Sequence, residues 1–183
     1  MKRFPLKMYA SLELNQCDFP KTGKVISQTP LGDEFTADAP CENGMWVWAE
    51  TANGVIKSIS AVTDPIGIVY TAEKEYDVAR DFGLKRFGRK VAGDYPRVGV
   101  LALGDKVTTN CLQYDEGEFT SEDDLFTALR ACAETPVYVV PVVGSAVPKL
   151  TATKPMTGLV ARVVKFYTVP NGEPGVKYEV IRV

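Results

Sequence analysis

The 183-residue chain contains no histidine. Without an imidazole there is no Ser–His or Cys–His dyad to activate a nucleophile at neutral pH. There is no histidine metal ligand either, and no side chain whose ordinary pKa lies near neutrality. Cysteine is sparse. Cys17, Cys41, Cys111 and Cys132 stand far apart, without the short paired spacing of a structural zinc site. They read as buried or idle reduced thiols. No apolar run approaches the roughly 20 residues that a membrane-crossing helix needs. Met1-Lys2-Arg3-Phe4-Pro5 is basic, but Lys7, Glu13 and Asn15 interrupt any apolar run behind it, so no signal peptide is expected. P-loop, G-x-G-x-x-G and G-x-S-x-G patterns are missing. Carboxylates are plentiful, yet no pair has a context marking it for acid/base work. The expectation is a non-enzyme with no cofactor, no metal and no membrane partner.

What is present fits an ordinary globular composition, 45% hydrophobic and 24% charged, with a net charge of -2. That acidic balance speaks against nucleic acid as a partner. The charge is unevenly spread. Residues 105–134 carry eight acidic and two basic groups, for a net of -6, whereas residues 141–183 carry six basic and two acidic, for +4. Complementary patches of this kind can guide homotypic assembly or docking on a charged partner.

Residues 1–40 are punctuated by Pro5, Pro20, Gly23, Pro30, Gly32 and Pro40 and show little sustained periodicity. They are expected to form an extended arm that orders against something else, such as a neighbouring subunit. Residues 41–183 form the β-rich domain. Met45-Trp46-Val47-Trp48-Ala49, an Asn53-Gly54 turn, Val55 to Val62, and Ile66-Gly67-Ile68-Val69-Tyr70 predict a three-stranded meander. Arg97 to Leu103 and Lys106 to Leu112 predict two more strands. Ser121 followed by Asp124 marks a helix N-terminus, with Leu125, Leu129 and Cys132 at helical spacing, so one short helix is expected near 121–133. Prolines 136, 141 and 148 suggest strand boundaries or edges. Two long alternating runs, Gly158 to Tyr167 and Val176 to Val183, predict a C-terminal hairpin. The fold class is therefore mainly β with one short α-helix and an extended N-terminal arm.

Two groups of residues are candidates for partner contact. Trp46 and Trp48 stand two apart on one strand and share a sheet face. They read as core or interface anchors, with a sugar-stacking platform as the alternative. Lys85, Arg86, Arg89 and Lys90 form a basic stretch interleaved with Phe82 and Phe87 and followed by Tyr95. This composition suits an acidic protein surface or a single-stranded nucleic acid, and the acidic whole favours the first.

A strand-rich block opens with Gly44-Met45-Trp46-Val47-Trp48 and proceeds through an Asn-Gly hairpin to Thr63-Asp64-Pro65-Ile66-Gly67-Ile68-Val69. A basic loop comes next, then Pro96-Arg97-Val98-Gly99-Val100-Leu101-Ala102-Leu103-Gly104-Asp105-Lys106-Val107-Thr108-Thr109-Asn110 and a terminal hairpin. This resembles the head decoration, or cement, proteins of tailed bacteriophages, over roughly residues 41–183. The resemblance implies a β-barrel or β-sandwich body on the virion capsid surface, made in the host cytoplasm, with the major capsid protein as partner. It also implies a homo-oligomer, a trimer before a dimer. It carries no catalytic residues. A tail tube or head–tail connector subunit is the alternative within the virion, and a carbohydrate-binding module using Trp46 and Trp48 is the alternative outside it.

Overall fold

The computed structural model describes residues 1–6, 10–13, 17, 25–50, 54–71, 90–169 and 172–183. These residues build a mainly β fold of two sheets, one of them curled into a half-barrel, and one short helix. The strands are β1 (Lys2–Arg3), β2 (Val25–Ile26), β3 (Trp46–Glu50), β4 (Val55–Lys57), β5 (Ile66–Val69), β6 (Val98–Val100), β7 (Lys106–Thr109) and β8 (Gln113–Tyr114). After helix α1 (Glu122–Arg130) come β9 (Tyr138–Val142), β10 (Ser145–Thr151), β11 (Val160–Thr168) and β12 (Pro174–Arg182).

The larger sheet has the order β1-β8-β10-β9-β11-β12-β7. It curls because β7 and β8, near its opposite ends, are joined by only Asn110, Cys111 and Leu112, all buried. The N-terminal segment covers both ends of this sheet. β1 pairs antiparallel with β8, and the Phe4 amide donates to the Leu112 carbonyl at 2.9 Å. Leu12 then bridges Thr109 of β7, the Ser11 amide donates to Asn110 Oδ1 at 2.6 Å, and the Thr109 hydroxyl donates to the Ser11 carbonyl at 2.7 Å. Open edges offer unpaired amides and carbonyls to other chains, and the segment blunts both. The described parts of residues 1–40 thus lie on the body of their own chain.

The smaller sheet has the order β2-β6-β5-β3-β4. The expected meander is corrected here: β5 pairs with β3, not β4, so β3 lies between β5 and β4. Both faces of this sheet are covered. On one side Trp46, Ile66 and Ile68 join Val107, Tyr178, Leu125 and Leu150 in the main core. On the other, Val47, Ile56, Val69 and Val98 pack under Leu31, Phe35 and Cys41. This is why residues 45–48 are apolar without alternation: a strand buried on both faces has no polar side.

Helix α1 begins as the sequence predicts, with the Ser121 side chain accepting from the Asp124 amide. The Asp124 carboxylate returns to the Thr120 amide at 3.0 Å, which satisfies a second amide at the start of the helix. Phe126 stacks on Phe166 with ring centroids 5.2 Å apart and seats the helix against β11. The prolines depart from expectation. Pro141 and Pro148 lie inside β9 and β10, interior strands of the sheet. The β9–β10 register shifts between Ser145 and Lys149, so Pro148 falls in the irregular stretch and removes no regular ladder bond.

Candidate functional site

The two sheets and the N-terminal segment meet at a cleft of about 480 Å³. Its floor holds an ion pair between Arg3 of β1 and Glu42, with Nη2 and Oε2 2.8 Å apart. Phe35, Met45 and Val147, all buried, supply the apolar walls. Glu34 stands at the side, where its Oε1 accepts from the Ser58 amide at 2.9 Å. Asp38 lies exposed at the rim. Three carboxylates thus share the cleft with one guanidinium, which leaves it net negative.

Local structure explains each placement. Arg3 is fixed by its pairing with Gln113 across the sheet edge. Glu42 sits in a tight turn closed by the Met45 amide donating to its carbonyl at 3.2 Å. Gly44 in that turn has φ +89, and a Cβ there would meet Thr109 Oγ1 at 2.6 Å and Cys111 Cβ at 2.7 Å. Only glycine fits both the left-handed backbone and the contact.

Two thiols, Cys41 and Cys111, lie buried close to this floor. Burial pushes the Cys111 thiol up to about 12, partly opposed by Arg3, and burial with the neighbouring Cys111 and Glu42 raises Cys41 further. A thiol held protonated is a poor nucleophile at neutral pH. The cleft's hydroxyls are engaged as well. Ser145 Oγ accepts from the Val147 amide at 3.1 Å and from the Gln113 side chain at 3.2 Å. The Ser58 hydroxyl reaches Glu34 Oε1 only at 3.5 Å, an oxygen already held by the Ser58 amide. Among the described residues no group of three or more Cys, Asp or Glu side chains is arranged to hold a metal ion. Apolar walls flanking fixed charges make a surface that can receive a side chain or a short segment of a partner.

The tryptophans are separated by burial. Trp46 is fully buried, and its indole N–H donates to the Tyr178 hydroxyl at 2.9 Å with the rings edge to face at 5.8 Å. It has no surface to offer a partner, which corrects its place among the contact residues and removes the two-tryptophan platform. Trp48, two positions along β3, is half-buried. Lys90 is half-buried, and its amide and carbonyl bond both ways with Cys41, one residue from Glu42. Lys85, Arg86 and Arg89 lie outside the described residues. The cleft residues Arg3, Glu34 and Glu42 escape sequence reasoning because they come from separate segments with no shared spacing or motif.

No protein-family model, curated protein or solved structure matches the chain.

Proposed function

We propose that this chain is a non-enzymatic virion structural protein that binds the outer surface of a phage capsid and stabilises it. The observation that carries the reading is the build of the cleft: apolar walls around charges that are already paired, Arg3 with Glu42 and Glu34 with the Ser58 amide. Such a surface suits docking better than chemistry, since its one cation is already paired and its walls are apolar. The order of the strand blocks in the sequence supports a decoration protein in particular. The surplus of carboxylates in the cleft suits a lysine or arginine of the major capsid protein. A homo-oligomer, a trimer in the first instance, would engage several such sites at once, and the avidity would make modest contacts hold.

The test is cosedimentation with expanded shells of a tailed-phage major capsid protein. Retention is expected, with a loss of about tenfold in apparent affinity for Glu34→Lys combined with Asp38→Lys. Failure of the wild-type protein to sediment with the shells overturns the reading. Stacked rings or tubes of the protein alone in negative stain would replace it with the tail-tube assignment.

A further inference from the structure

We infer that the outer face of β11 and β12, with Lys106 of β7 at its margin, is a self-association surface whose occupant is the acidic start of helix α1 in a second copy of this chain. The register sets this face residue by residue. Tyr178 is buried, so Lys177 and Glu179 on either side of it point outward. Lys165 lies directly opposite Lys177, Arg162 opposite Glu179, and Lys106 opposite Glu179 from the other side. A register shift between Val163 and Lys165 leaves Val164 and Lys165 both exposed. A bulge of this kind turns consecutive side chains to one side of the sheet.

The result is four cations around one carboxylate, with the exposed apolar Val164 among them. Like charges placed directly across a strand pair destabilise the pair. Among the described residues none of Lys106, Arg162, Lys165 and Lys177 takes part in an ion pair. Among the described residues the charge of this face is therefore not compensated by an ion pair.

The same chain carries the complement. Glu116, Glu122, Asp123 and Asp124 are exposed in the turn before α1 and in its first turn. Among the described residues Lys2 alone pairs with them, shared between Glu122 at 3.5 Å and Glu116 at 3.8 Å. Two different patches meet in such a contact, so it is head-to-tail, the type that gives a small closed ring when its rotation closes and an open filament when it does not. The contact stands on charge and needs no capsid, so self-association and shell binding can each fail while the other holds.

Two variants test it by sedimentation velocity at about 50 mM and about 500 mM salt, since screening weakens exposed charge contacts. Lys165→Glu with Lys177→Glu makes the sheet face acidic, and Glu116→Lys, Glu122→Lys and Asp123→Lys together, which keep Asp124 for the helix cap, make the helix end basic. Circular dichroism checks that each is folded. The wild type is expected to associate at low salt and dissociate at high salt. Each variant alone is expected to lose self-association by at least about tenfold. The two mixed together are expected to associate again, because each then presents what the other's altered face requires. A wild-type monomer at low salt overturns the proposal, as does either variant associating like the wild type. A mixture of the folded variants that stays monomeric overturns it as well.

Discussion

At the scale of single residues, burial decides what each side chain can do. Trp46 and Trp48 belong to the same strand, but the first fills the main core and hands its N–H to Tyr178, while the second keeps part of its ring at the surface. Tyr178 in turn is held well above its ordinary pKa by burial, so its hydroxyl stays protonated. Glycines differ in the same way. Gly44 and Gly54 both have positive φ, at +89 and +64, but a Cβ on Gly54 would meet nothing within 4 Å. Gly54→Ala should therefore cost only the backbone penalty, about 1–2 kcal/mol. Gly44→Ala adds steric overlap in the core and should cost about 2–4 kcal/mol in all, lowering the melting temperature by roughly 5–15 °C. Equal melting temperatures for the two variants would contradict the placement of Gly44 against Thr109 and Cys111.

At the scale of elements, the described residues of the N-terminal segment are anchored on the body of their own chain. Its prolines and glycines read as an arm for another subunit, yet Phe4 is buried among residues of the main core and meets Phe126 of α1 edge to face at 6.0 Å. A segment with no periodicity of its own can still finish a sheet, because edge pairing uses backbone groups that every residue has. Deleting residues 1–6 should cost about 3–5 kcal/mol, chiefly from the loss of Phe4. It should also expose the β8 edge and promote association between strands. The urea midpoint and light scattering read the two effects, and a deletion variant as stable and as well dispersed as the parent would show that the segment is dispensable. The capped helix and the C-terminal hairpin are legible in the sequence because their signals are local. β10 is not, because Pro148 interrupts its pattern, and the order of the small sheet is not, because sequence neighbours need not be sheet neighbours.

At the scale of the whole molecule, the missing histidine reappears as a pH profile. With no imidazole to titrate, stability and the proposed shell attachment should change little between about pH 6 and 8. Above about pH 9 the outcome changes. The folded chain holds Cys41 and Cys111 protonated by burial and raises Tyr167 to about 12, whereas the unfolded chain releases those protons near their ordinary values. The native state then binds more protons than the unfolded one, so stability is fully present below about pH 9 and falls as pH rises, by up to about 1.4 kcal/mol per pH unit for each of the two buried thiols and by less for Tyr167. Urea midpoints at pH 7, 8, 9.5 and 10.5 check the sign, and a midpoint rising above pH 9 would refute it. The β-rich class, the helix and its cap, the terminal hairpin and the uneven charge are already set by the order of residues, because they are written in local periodicity and composition. Three features needed the folded chain: the smaller sheet is buried on both faces, the arm lies over both ends of the larger one, and Arg3, Glu34 and Glu42 share one cleft. Those outcomes depend on long-range pairing, where packing between distant segments, and not the pattern within any one of them, selects which surfaces meet.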